Sequence, residues 1–167
     1  MSERAGKGAD WVALLGTKGG PAIRPGSTMP TSSLLSLGGA RIVVDCGLGV
    51  TRGIVDQGMA LADLRHIFIT HLHSDHYLEL GPLLHTAWTA GLKSKVEVWG
   101  PKGLADYWDA FLLSMKADID LRIEDEGRPD LRAMVTIRVI DAGAFFETEG
   151  LRVSALRNIH PPLVDTF

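Results

Sequence analysis

Short apolar runs rich in Val, Ile and Leu recur along the chain at positions 11–15, 33–37, 41–45, 66–70, 96–99, 135–140 and 151–155, with glycine or polar residues between them. Runs this short, rich in β-branched residues and bounded by turn formers, predict strands. Three other stretches carry apolar residues at helical spacing. One, 51–57, closes at Gly58 and another, 80–90, closes at Gly91; in 104–116, Leu104, Trp108, Phe111, Leu112 and Met115 share one face. Strand and helix signals that alternate in this way predict an α/β fold. Two segments lack either period. Residues 16–30 are rich in Gly and Pro but lack the Lys-Ser/Thr ending of a phosphate-binding P-loop, which predicts a connector. Residues 118–130 are strongly charged, with Glu124, Asp125 and Glu126 in a row, and are predicted to form a solvated loop or edge.

A chain of 167 residues suffices for a single domain with a core of its own. Its net charge of -3 lacks the basic excess of a nucleic-acid binder, although a local patch around a metal can outweigh the global sum. Cys46 is the only cysteine, so an intramolecular disulfide and a thiolate zinc cluster are both excluded. Any metal must be held by His and carboxylate. No run approaches the roughly 20 apolar residues that cross a bilayer, and the run at 11–15 is too short for the core of a signal peptide. A soluble, cytoplasmic protein without a membrane partner is expected.

The chemistry concentrates in His71-Leu72-His73-Ser74-Asp75-His76, which follows directly on Ile67-Phe68-Ile69-Thr70. In extended chain, alternate side chains point the same way roughly 6–7 Å apart, so His71 and His73 can lean onto one ion while Leu72 points into the core. Leu78, Leu80, Leu83 and Leu84 predict a helix starting just beyond. A turn at Ser74 then swings Asp75 and His76 to the far side of that ion, an arrangement suited to two metals roughly 3.5–4 Å apart. Nitrogen and carboxylate ligands without thiolate favour zinc, with manganese or iron also accepted. Packing does not account for so many polar groups in one window, because burying them unpaired is costly. His66 and His85 stand alone and read as a strand-edge and a helix-surface residue.

This His-x-His-x-Asp-His pattern resembles the signature of the metallo-β-lactamase superfamily. Asp45-Cys46-Gly47-Leu48-Gly49 after one predicted strand, Ile67-Phe68-Ile69-Thr70 before the motif, and Gly100-Pro101 after another are most similar to the ribonuclease Z and related hydrolase branch. The similarity runs from Leu14-Leu15-Gly16-Thr17 to His160. It implies an αββα sandwich with the site along one edge between the two sheets. It also implies that His71, His73 and His160 hold a first metal and that Asp75 and His76 contribute to a second, with two zinc ions in a complete site. The bridging Asp and the final His of the family have no counterpart here, and Asp165 lacks the strand and glycine context of the bridging position. Residues 1–167 are therefore expected to form a single, C-terminally incomplete domain, the first half of the sandwich plus part of the second. Ribonuclease Z proteins carry an acidic residue at the place of Leu48 and glycines at those of Ser74 and Glu79. These departures leave RNA a weakly supported substrate.

The resemblance implies a metal-dependent hydrolase acting on phosphodiester, sulfate ester or small ester substrates, whether small molecules or nucleotides. The nucleophile would be a metal-activated hydroxide formed from water whose pKa falls to about 7. Asp75 is the expected catalytic residue, orienting that nucleophile while it contacts the second metal. Asp45 either supports a ligating His or caps its strand. Two alternatives remain open: an iron-dependent redox or thioester member of the superfamily, and a non-catalytic metal-binding fragment or assembly module. An unpartnered sheet exposes apolar surface, so a homo-oligomer is expected.

Overall fold

The computed structural model describes residues 9–143, 145–148, 151–163 and 165–167. Six strands form one sheet in chain order: β1 (Trp11–Gly16), β2 (Ser32–Leu37), β3 (Ala40–Val44), β4 (His66–Phe68), β5 (Val96–Gly100) and β6 (Val135–Val139). The first three are antiparallel neighbours. Gly38 and Gly39, with φ of 55° and 87°, make the tight turn between β2 and β3, where two successive positive φ values favour glycine. From β3 onward the pairing is parallel, and parallel neighbours require crossovers. These are supplied by α1 (Val50–Asp56), then α2 (Ser74–Tyr77) and α3 (Leu80–Thr89), then α4 (Leu104–Ser114), α5 (Lys116–Glu126) and α6 (Leu131–Met134).

Burial divides the sheet into two faces. Leu34, Val43, Ile67, Ile69, Val96 and Val98 share one cluster with the buried residues of α1, α3, α4, α5 and α6. Ile42 and Phe68 point the other way and meet Phe146, with Leu35, Val44 and Trp99 packed alongside. Phe146 belongs to a second, two-stranded sheet of β7 (Phe145–Thr148) and β8 (Leu151–Ser154). Its ring lies 5.7 Å from Phe68 and 5.6 Å from Trp99, which fixes where this second sheet covers the first. Burial on both faces explains why the central strands read as nearly continuous apolar runs.

Three elements differ from the sequence expectation. The charged segment expected as a solvated loop is α5. Its side chains pair at i,i+4, Lys116 with Asp120, Arg122 with Asp118 and Arg122 with Glu126, while Ile119 alone is fully buried. β7 falls outside the predicted strands, because its apolar run is only two residues long, Phe145-Phe146, before Glu147. The strand at 41–45 stops at Val44 because Asp45 turns into the left-handed region, with φ of 62°.

Candidate metal centre

Because β3 and β4 are parallel neighbours, their C-terminal ends deliver Asp45 and Thr70 to the same edge of the sheet. Asp45 N–H donates to the Phe68 carbonyl at 2.8 Å, and its carboxylate returns across the gap. Oδ1 accepts Thr70 N–H at 2.8 Å, and the Thr70 hydroxyl lies 3.0 Å from each carboxylate oxygen. The short acidic side chain is one of the few that tolerates the left-handed backbone this reach requires.

These contacts set the tautomers of two imidazoles. His76 Nδ1 lies 2.7 Å from Asp45 Oδ2, an atom that only accepts, so Nδ1 carries the hydrogen and, in the neutral ring, Nε2 keeps its lone pair. The Thr70 hydroxyl spends its hydrogen on Asp45, so it accepts from His71 Nδ1 at 3.0 Å and leaves His71 Nε2 free. Burial pushes His71 down to about 4, helped by His76, His73 and His160 and opposed by Asp45, so the ring is neutral near pH 7. For His76, burial pulls downward, but the hydrogen bond and charge of Asp45, with the charge of Asp75, leave it raised.

His71 Nε2 approaches His73 Nδ1 at 3.2 Å, and His160 Nε2 approaches the same atom at 3.1 Å. One ring nitrogen thus faces two others, and it can donate a hydrogen to at most one of them. The ligand atoms of His71, His73 and His160 all lie within 4.8 Å of one another. Three convergent imidazole nitrogens, one of them with its lone pair directed inward by Thr70, form a donor set that fits a divalent zinc-like cation. Asp75 and His76 stand beside this trio, with Asp75 Oδ2 at 3.6 Å from His76 Nε2 and the His71 and His76 rings 3.9 Å apart. All five residues singled out from the sequence are therefore brought to one end of the sheet.

His160 arrives from far along the chain, on a segment that folds back on itself. Asn158 N–H donates to Thr166 and Leu163 N–H to His160, while Phe167 N–H reaches the Thr70 carbonyl at 3.1 Å. That last bond ties the segment to the residue preceding His71. Asp165 pairs with Arg157 at 2.6 Å. The His66 ring lies tilted against Phe146, with centroids 4.8 Å apart, and His85 pairs with Asp118 at 2.8 Å, so both lie outside the cluster.

The glycine-rich segment 16–30 does more than connect strands. Gly19, Gly20 and Pro21 join His73, Ser74, Asp75, His76 and His160 in lining a cavity of about 510 Å³. Gly20 N–H donates to Asp75 Oδ2 at 2.6 Å, which orients that carboxylate. The partners are far apart in sequence, and glycine carries no side chain to announce the contact. Gly47 is a second residue that spacing did not single out. A Cβ there would sit 2.4 Å from the Asp75 carbonyl oxygen, so only glycine lets the turn after Asp45 lie against the motif.

Compared with known proteins, residues 12–165 match the family described as Anti-Pycsar protein Apyc1. A ribonuclease Z from Mycobacterium marinum is 32% identical over 159 residues, covering 93% of this chain and 56% of that protein. Another, from Mycobacterium sp. (strain KMS), is 34% identical over 160 residues, covering 93% and 55%. The chain spans about half the length of the curated relatives it matches. Human tRNase Z, short form, superposes with a TM-score of 0.54 at 26% identity, over 78% of this chain and 44% of that one. The metallo-β-lactamase fold protein YhfI from Bacillus subtilis gives a TM-score of 0.63 at 17% identity, over 90% and 54%, a likeness of fold.

Proposed function

The chain belongs to the Anti-Pycsar protein Apyc1 family and is ribonuclease Z-like within the metallo-β-lactamase superfamily, and from that premise we propose that it carries the metal-binding part of a phosphodiester hydrolase. The observation that supports this reading is the convergence of His71, His73 and His160 within 4.8 Å beside Asp75 and His76. In this proposal His71, His73 and His160 hold one zinc ion, and Asp75 and His76 contribute to a second. When bound, the metal supplies Lewis acidity toward the ester oxygens and makes water acidic enough to act as a nucleophile near neutral pH.

The chain's own residues do the positioning. Asp45 keeps the hydrogen of His76 on Nδ1, and Thr70 does the same for His71, so both rings present lone pairs inward. Asp75, anchored by Gly20, is the group to orient the attacking water and take its proton. Gly19 and Pro21 line the cavity beside these groups. The names of the mycobacterial and human relatives favour RNA as one phosphodiester substrate, and small nucleotide esters are the other. A cytoplasmic location and self-association belong to the same proposal. For self-association the support is that Val12 and Leu14 on β1 are 57% and 68% exposed.

Hydrolysis of a panel containing bis-p-nitrophenyl phosphate, a p-nitrophenyl sulfate, a carboxylic ester and a tRNA precursor by the full-length protein, with and without chelator, tests the reading. Chelator-sensitive cleavage of the phosphodiesters is expected. Activity untouched by chelator, or confined to carboxylic esters, would contradict it.

A further inference from the structure

The geometry points to Glu79 as a positioning residue of the metal centre, one that clamps the turn following Asp45 onto the ligand-bearing helix and so keeps Asp45 on His76. Helix α1 begins immediately after that turn, with Gly49 at its N-cap, no acidic residue in its first turn and no capping side chain of its own. Glu79 fills the gap from a distance. Oε1 accepts Thr51 N–H at 2.9 Å, and Oε2 accepts Gly49 N–H. A carboxylate with both oxygens on backbone N–H groups at a helix N-terminus makes charge-assisted bonds.

The backbone of Glu79 closes the clamp from the other side. Its N–H donates to the Cys46 carbonyl at 2.9 Å, and its own carbonyl accepts Leu83 N–H at 2.8 Å, opening α3. Cys46 N–H in turn donates to the His76 carbonyl at 2.6 Å. The turn carrying Asp45 is thus stitched at both ends to the segment carrying Asp75 and His76. That support matters at Asp45 because its backbone is in the left-handed region, which Asp tolerates but occupies less readily than glycine. Glu79 touches no ligand directly and acts through Asp45.

This inference rests on reading the centre as a metal site, and two readouts on the full chain keep the two claims separable. In metal-free, 15N-labelled protein, the His76 Nδ1–H resonance reports the hydrogen bond to Asp45. Zinc competition reports the affinity of the centre. Glu79→Gln keeps the shape but leaves only one acceptor oxygen. It is expected to fold, to broaden or shift the His76 Nδ1–H resonance, and to weaken zinc binding about tenfold. A lowered melting temperature with an unchanged His76 resonance and unchanged zinc affinity would reduce Glu79 to a helix cap and overturn the inference. If Glu79→Gln does not fold, Glu79→Asp, which keeps the charge with a shorter reach, carries the same comparison. A wild-type chain that binds no zinc removes the metal reading, whereas the metal-free resonance decides the role of Glu79 by itself.

Discussion

His76 Nδ1 lies 2.7 Å from Asp45 Oδ2, and this one contact links the turn after β3 to the motif that follows β4. The residues are 31 positions apart, and the same carboxylate also holds the Thr70 backbone and hydroxyl. Asp45→Asn keeps the volume and tolerates the left-handed backbone, but it places an amide where one of the accepting oxygens stood. Zinc affinity is expected to fall about 10- to 100-fold with the fold retained, as read by competition titration alongside circular dichroism.

Gly47 gives a prediction about packing. Gly47→Ala would put a Cβ 2.4 Å from the Asp75 carbonyl and 2.8 Å from that of Thr31, both backbone atoms that cannot swing away. The chain should lose on the order of 2–3 kcal/mol of stability and bind zinc more weakly, because the motif is what must move. Urea unfolding and a zinc titration of the same variant measure both effects.

Tyr107 fixes the joint between α2 and α3. Its hydroxyl donates to the Leu78 carbonyl at 2.9 Å and accepts Gly81 N–H at 3.1 Å. Tyr107→Phe keeps the ring contact with Tyr77 and removes both bonds, so a loss of roughly 1–2 kcal/mol is expected. Chemical denaturation of the metal-free chain checks the figure.

Acid acts on the metal-free chain through His71. Its ordinary value is 6.5 and the folded value is about 4, so between these limits the unfolded chain takes up a proton that the folded one refuses. The His71 contribution to stability therefore falls as pH drops from about 6.5 to 4 and is constant below that. His76 is raised, so its contribution is present below 6.5 and lost as pH rises through its folded value. Unfolding midpoints across this range, with the His71 Hε1 resonance titrating near 4, test the assignment.

Much of this arrangement is legible in the sequence because it is local. The strand before the motif, the alternation of His71 and His73 around Leu72, and the glycines that follow α1 and α3, Gly58 and Gly91, all act within a few residues. α5 is read from the sequence as a solvated loop, because the density of acidic side chains hides the i,i+4 spacing of Asp118, Arg122 and Glu126. Contacts across the fold were not legible. Gly20 on Asp75 and Glu79 on Gly49 depend on backbone N–H groups that every residue except proline carries, so residue type gives little hint of them. Asp45 lay between these cases. The sequence left it as either a strand cap or a partner of a ligating His, and the structure makes it both the residue that ends β3 and the acceptor for His76.

Whether His71, His73 and His160 together hold a metal is decided by a zinc titration of the metal-free chain against His71→Ala, His73→Ala and His160→Ala. Zinc is expected to bind through imidazole-rich ligation, weakened on the order of 100-fold by each substitution. Zinc binding that is absent, or equally strong in all three variants, would contradict it.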